Sequence, residues 1–129
     1  MSPTSMISHR LIFSKQDIRD YAEVSGDFNP IHLSEKDAKR MGFKACLVHG
    51  MLVMGRIGAV CRAQLGIEAF IKDYDIRFQA PVYVESPYEL ELEMEGHELS
   101  FHLYSKAGSS VIKGKTKINT SRMEDHHEW

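Results

Sequence analysis

The sequence predicts an α+β fold, an antiparallel β-sheet laid around one long central apolar helix. Three observations carry this. Residues 49–66, HGMLVMGRIGAVCRAQLG, hold almost no polar side chain before Arg56, and a helix apolar on most faces belongs in a core. Residues 88–96, YELELEMEG, alternate apolar and glutamate positions, the period of a strand with one buried and one wet face. Helical patterns come first and strand patterns follow, without the βαβ alternation or glycine fingerprint of a dinucleotide-binding domain.

Arg10 to Phe13 reads as a short opening strand. Ser14 is a candidate N-cap, with Asp17 as the acidic partner of a capping box. Ile18, Tyr21 and Ala22 then recur at helical spacing until Gly26 and Pro30 stop the helix. Ser34 can cap a second helix with Asp37 at its third position, an apolar stripe of Ala38 and Met41, and Gly42 at its end. The apolar helix follows. Residues 76–84, IRFQAPVYV, are rich in β-formers. Residues 88–96, residues 99–104 and residues 111–118 complete a meander, with Lys113, Lys115 and Lys117 on one outer face. The glutamate row of residues 88–96 and this lysine row are expected to pair across the sheet. One sheet covers only one side of so apolar a helix, so the pattern predicts a homodimer.

The chain has 129 residues, the size of one domain. A single domain is expected over 1–129, with its core at about 10–119 and a polar tail at 120–129. With 43% hydrophobic and 26% charged residues and a net charge of -2, the chain reads as globular. It carries no basic signature of a nucleic-acid partner, no apolar run long enough to span a membrane and no signal peptide. Two cysteines, Cys46 and Cys61, write no disulfide framework and suit a reducing, cytoplasmic setting. The tail residues Glu124, Asp125, His126 and His127 offer metal-ligand types but read as a polar terminus, and no metal site is expected.

Chemistry concentrates in two places. In SGDFNPIH, residues 25–32, Asp27 and His32 stand five positions apart around Asn29 and Pro30. Such a pair suits a turn, with Asp27 ending it and His32 bonded to a backbone carbonyl. It equally suits general acid–base chemistry, in which an imidazole exchanges protons near neutral pH and a carboxylate orients a water. The second place is His49-Gly50, at the start of the apolar helix. A glycine N–H at the positive end of a helix can steady a carbonyl oxygen that gains negative charge. It also suits an ordinary chain turn.

SGDFNPIH followed by GFKACLVHGML, residues 42–52, resembles the signature of the MaoC-like, or (R)-specific enoyl-CoA hydratase, family. The resemblance runs from about Phe13 to Ile118. It implies the hotdog fold and interconversion of trans-2-enoyl and (R)-3-hydroxyacyl thioesters. It implies Asp27 and His32 as the catalytic pair, Asn29 and His49 as site support and Gly50 as the backbone donor to the thioester carbonyl. It also implies a substrate carried on coenzyme A or on an acyl carrier by a phosphopantetheine arm, with no separate cofactor.

Met51 and Met54 are candidates to line the acyl site, since methionine adapts to variable chains. Family hydratases often carry a serine inside the central helix; here Gly55 and Gly58 occupy the matching region. Arg56, a lone charge in the apolar run, suits either a solvent edge or the phosphate of an acyl carrier. Two alternatives stand beside the hydratase reading: an acyl thioesterase on the same fold, and a noncatalytic subunit that binds an acyl group or its carrier.

Overall fold

The computed structural model describes residues 5–66 and 69–120. The tail residues 124–127 lie outside them. The elements run β1 (Ser5–Leu11), α1 (Lys15–Ser25), α2 (Pro30–Leu33), α3 (Glu35–Arg40), α4 (Gly50–Leu65), β2 (Ala69–Phe78), β3 (Tyr88–Glu95), β4 (Glu98–Ser105) and β5 (Ser110–Thr120). The five strands form one sheet in the order β1-β3-β4-β5-β2, antiparallel at every pairing. Among the described residues, the first two strands therefore lie at opposite edges, and the four helices fall in the connection between them.

Alternation decides which face is buried. Tyr88, Leu90 and Leu92 on β3 and Leu99, Phe101 and Leu103 on β4 are buried, and the residues between them are not. Val53, Ile57 and Cys61 repeat every fourth position along α4 and join these side chains in one core. Burying a side chain of this size contributes about 1.5–3 kcal/mol. The central helix is thus inside, as its composition predicts, but along one stripe: Met51 is 66% exposed. A single sheet has one face to offer, and the line of Met51, Gly55 and Ala59 along α4 stays exposed in one chain.

Several details differ from the sequence reading. The opening strand expected over Arg10 to Phe13 runs Ser5–Leu11, and β2 begins at Ala69, ahead of residues 76–84. β2 ends at Phe78, because Gln79 and Ala80 turn away to bond Val111 O and Pro81 follows; Pro81 has no N–H to give a ladder. The glutamate row does not face the lysine row, because β4 lies between β3 and β5. The glutamates Glu91 and Glu93 oppose His102 and Ser100, which in turn oppose Lys113 and Lys115. On α3, Ala38 is buried but Met41 is 66% exposed, since the helix has only six residues and Met41 is its C-cap.

α1 is anchored by the expected capping box. Ser14 Oγ accepts from the Asp17 N–H and Asp17 Oδ2 from the Ser14 N–H. The Ser14 backbone N–H is the main reason that the Asp17 carboxyl sits below the usual carboxylate range. Asp17 Oδ2 also meets Arg56 Nη2 at 3.4 Å, and the Arg56 guanidinium lies 4.7 Å from the centre of the Phe13 ring. Arg56 therefore ties α4 to α1. Among the described residues no helix is long and apolar enough to cross a membrane.

Candidate active site

The local sequence builds the loop between α1 and α2 one residue at a time. Gly26 ends α1 in the left-handed region, φ 80°, and its N–H returns to Ala22 O. Three side-chain turns follow in register: Ser25 Oγ accepts from Asp27 N, Asp27 Oδ1 from Asn29 N, and Asn29 Oδ1 from Ile31 N. Short polar side chains that bond the backbone two residues on favour this path over a helix. Asn29 is then the N-cap of α2, and Pro30 is its first residue, where the missing N–H costs nothing.

This single turn of helix carries His32 against the segment that leads into α4. Leu47 N–H donates to Ile31 O at 3.0 Å, and His32 Nδ1 lies 2.8 Å from Leu47 O. The same segment is held on its other side by Val48 N–H to Val82 O and Val84 N–H to Cys46 O. A carbonyl oxygen only accepts, so in the neutral ring Nδ1 carries the proton of His32 and Nε2 keeps its lone pair. That lone pair faces Asp27 Oδ2 at 3.8 Å. The gap is too long for a direct hydrogen bond and admits a water oxygen at about 2.8 Å from each atom. His32 is mostly buried and Asp27 is half-exposed, so solvent reaches the pair from the acid's side.

His49 is 2% exposed. Its Nε2 lies 3.0 Å from Asp27 O, and its ring stacks on that of His32 with centroids 3.8 Å apart. Gly50 follows as the first residue of α4, with no side-chain cap from His49, so its N–H belongs to the unpaired first turn. A cavity of about 390 Å³ joins the two halves: His32 and Gly50 both line it, with Val48, Phe78, Pro81 and Val82. A second cavity, about 580 Å³, meets His32 from the side of α1 and is lined by Ile18, Phe28, Leu33 and Cys46 among others.

Asp27, His32 and His49 are the group among the described residues whose ligand atoms, all within 4.8 Å, could hold a metal ion. The two rings are stacked, so their in-plane lone pairs run side by side and not toward one point. The arrangement suits proton exchange with a water better than chelation.

Met51 and Met54 are not among the residues lining the cavity beside Gly50. Met51 is 66% exposed, and the Met54 carbonyl accepts from the Tyr74 hydroxyl at 2.9 Å. Tyr74 reaches it from a bulge at Asp73, where φ is 49°. Of the two glycines inside α4 beyond its first residue, Gly55 faces open space, whereas a Cβ on Gly58 would lie 4.0 Å from the Tyr74 hydroxyl. Burial holds that hydroxyl well above the usual phenol range. Burial likewise pushes the Cys61 thiol up to about 11, making it core and not nucleophile. Phe78 and the Leu47 carbonyl were not singled out from sequence. The break at Pro81 is the only local sign that residues 78–82 leave the sheet to line a cavity.

A family model described as a MaoC like domain matches residues 3–115. The chain belongs to the MaoC-like family. Among curated proteins it is 38% identical over 117 residues to a mitochondrial 3-hydroxyacyl-acyl-carrier-protein dehydratase of Arabidopsis thaliana, covering 91% of this chain and 64% of that protein. It is 32% identical over 112 residues to an (R)-specific enoyl-CoA hydratase of Rhodospirillum rubrum, covering 81% and 78%. The MaoC-like chain spans only about half to two thirds of the first curated relatives, 52% in a 3-hydroxybutyryl-CoA dehydratase of Methylorubrum extorquens. Among solved structures, an (R)-hydratase from A. caviae superposes with a TM-score of 0.81 at 23% identity, covering 93% of this chain and 97% of that one. At that identity the likeness speaks for the fold, which is the hotdog: an antiparallel sheet around a central helix.

Proposed function

We propose that this protein interconverts trans-2-enoyl and (R)-3-hydroxyacyl thioesters by adding or removing water. One observation carries the reading. The free Nε2 of His32 faces Asp27 Oδ2 across 3.8 Å, and His32 shares a cavity with the first N–H of α4 at Gly50. The relatives named as dehydratases and hydratases support it.

In the hydration direction the thioester carbonyl accepts the Gly50 N–H. This polarises the enoyl system and stabilises the enolate-like charge that develops on the oxygen. A water held between Asp27 and His32 attacks C3. Its proton passes to one of the two side chains, and a proton is returned to C2 from the same face. In the dehydration direction His32 Nε2 takes the C2 proton, and Asp27 manages protonation of the departing hydroxyl, which leaves as water. The protons balance across the pair, and the reaction needs no redox equivalent. Asn29 holds the loop by capping α2, and the thioester arm, coenzyme A or carrier-bound phosphopantetheine, belongs to the substrate.

A homodimer accompanies this reading. The edge strand β2 and the exposed apolar side chains Met51 and Phe78, all near the α4 start or its neighbouring strand end, are surfaces that a second copy would cover. The test is to incubate the purified protein with crotonyl-CoA, longer enoyl-CoAs and enoyl groups on an acyl carrier, following loss of enoyl absorbance. Hydration of any of them supports the reading. Thiol release would move it to a thioesterase, and binding without turnover to an acyl-binding subunit.

A further inference from the structure

The buried imidazole of His49 has no step in the reaction above. Its Nε2 meets Asp27 O at 3.0 Å, and its Nδ1 is buried with no hydrogen-bond partner among the described residues. Because a carbonyl only accepts, the neutral ring carries its proton on Nε2 and leaves Nδ1 as a bare acceptor. The groups around it are Tyr21 from α1, with ring centres 4.9 Å apart, His32 from α2 at 3.8 Å, and Asp27 from the loop. A phenylalanine would fill this place without orphaning a nitrogen. What it lacks is the N–H on the Asp27 carbonyl.

The two histidines make a reciprocal clasp. His32, on the acid–base loop, donates to Leu47 O in the segment that leads into α4. His49, at the end of that segment, donates back to the loop at Asp27 O. Leu47 N–H to Ile31 O adds a backbone bond between them. His49 is also the N-cap residue of α4, immediately before Gly50. One ring thus spans from the residue before the carbonyl-binding N–H to the backbone of the acid.

We propose that His49 is a positioning residue that, as an Nε2–H donor, registers the Asp27–His32 loop against the Gly50 N–H. Its catalytic consequence rests on the hydratase reading; its tautomer and its bond to Asp27 do not. Three variants separate donor from bulk. His49→Gln carries an amide N–H near the Nε2 position, His49→Asn ends short near Nδ1, and His49→Leu has no donor.

The nitrogen resonances of the wild-type ring, recorded with labelled histidine, are expected to show the Nε2–H tautomer of His49. With crotonyl-CoA, His49→Leu and His49→Asn are expected to lose about 100-fold in kcat, the scale of an ångström's misplacement, with KM changed far less. His49→Gln is expected to recover about tenfold or more over His49→Leu. Thermal melting establishes that the compared variants are folded. Should His49→Leu fail to fold, the Gln and Asn pair makes the same comparison. An Nδ1–H tautomer overturns the proposal, as does a folded Leu or Asn variant with the kcat of the Gln variant. Wild-type protein inert toward every enoyl thioester overturns the hydratase reading instead, and the nitrogen spectrum still decides the bond to Asp27.

Discussion

Gly50→Ala separates the stability of this fold from the activity proposed for it. Gly50 has no positive φ, so alanine can take its backbone conformation. A Cβ there would lie 3.7 Å from Phe78 Cζ, an ordinary van der Waals contact. Alanine is also favoured over glycine in helices by up to about 1 kcal/mol, less at a first residue than in the interior. The variant should therefore melt within a few degrees of wild type, or slightly above it. Activity should move the other way. The added methyl would point toward Phe78, which lines the same cavity as Gly50, so it takes space from a carbonyl bound at that N–H. The N–H itself remains, so the loss is one of placement, and pushing the carbonyl about an ångström from its donor costs on the order of 10²-fold in kcat. Circular dichroism melting and the enoyl absorbance assay, run on one preparation, measure both. Wild-type kcat in a folded Gly50→Ala protein would refute the reasoning, because a carbonyl seated in that cavity against the N–H would have to feel the methyl.

Asp27→Asn and His32→Ala should each lower kcat by about 10²–10⁴, and the double variant should lose much less than the product of the two; independent, multiplicative losses argue against a shared proton-transfer unit. Asp17→Asn tests the anchor of α1. The Asp17 carboxyl is depressed from 3.8 in the fold, so its stabilisation is present above the unfolded value and lost as pH falls through the folded one. The melting-temperature gap between wild type and Asp17→Asn should therefore be wide at pH 7 and close below about pH 4; a gap independent of pH contradicts it. Gly114→Ala should destabilise by about 3 kcal/mol, read as a fall in the urea midpoint, because a Cβ there would strike the Phe101 ring and come within 2.6 Å of Asp75 O.

The parts of the fold legible in the sequence are those governed by local period and local bonds. The Ser14–Asp17 capping box, the Gly26 stop, the alternation of residues 88–95 and the span of α4 depend on neighbours a few positions away, and each is present. Long-range pairing was legible only in part. The separation of the glutamate and lysine rows is contained in the meander, whose consecutive strands pair in order and place β4 between them; the position of β2 beside β5 and of β1 beside β3 is what no local pattern states. The partial burial of α4 follows the expectation that one sheet covers only one side of so apolar a helix; what composition does not say is which stripe, Val53, Ile57 and Cys61, faces the core. In the site, the residue types of SGDFNPIH and HG leave an ordinary turn and acid–base chemistry both open, and it is the resemblance to the MaoC-like signature that singles out Asp27, His32 and Gly50. Phe78 and the Leu47 carbonyl escaped because an aromatic at a strand end and a backbone oxygen carry no mark of their own.

The central claim is that Asp27 and His32 exchange water with a thioester held at Gly50. Its most direct test is the reaction of crotonyl-CoA in labelled water, with the 3-hydroxy product analysed for configuration and for the position of the label. The account predicts (R)-3-hydroxybutyryl-CoA with solvent oxygen at C3 and solvent hydrogen at C2, formed by wild type and lost in His32→Ala. Solvent oxygen in a released free acid, an (S) product, or equal formation by His32→Ala would contradict it.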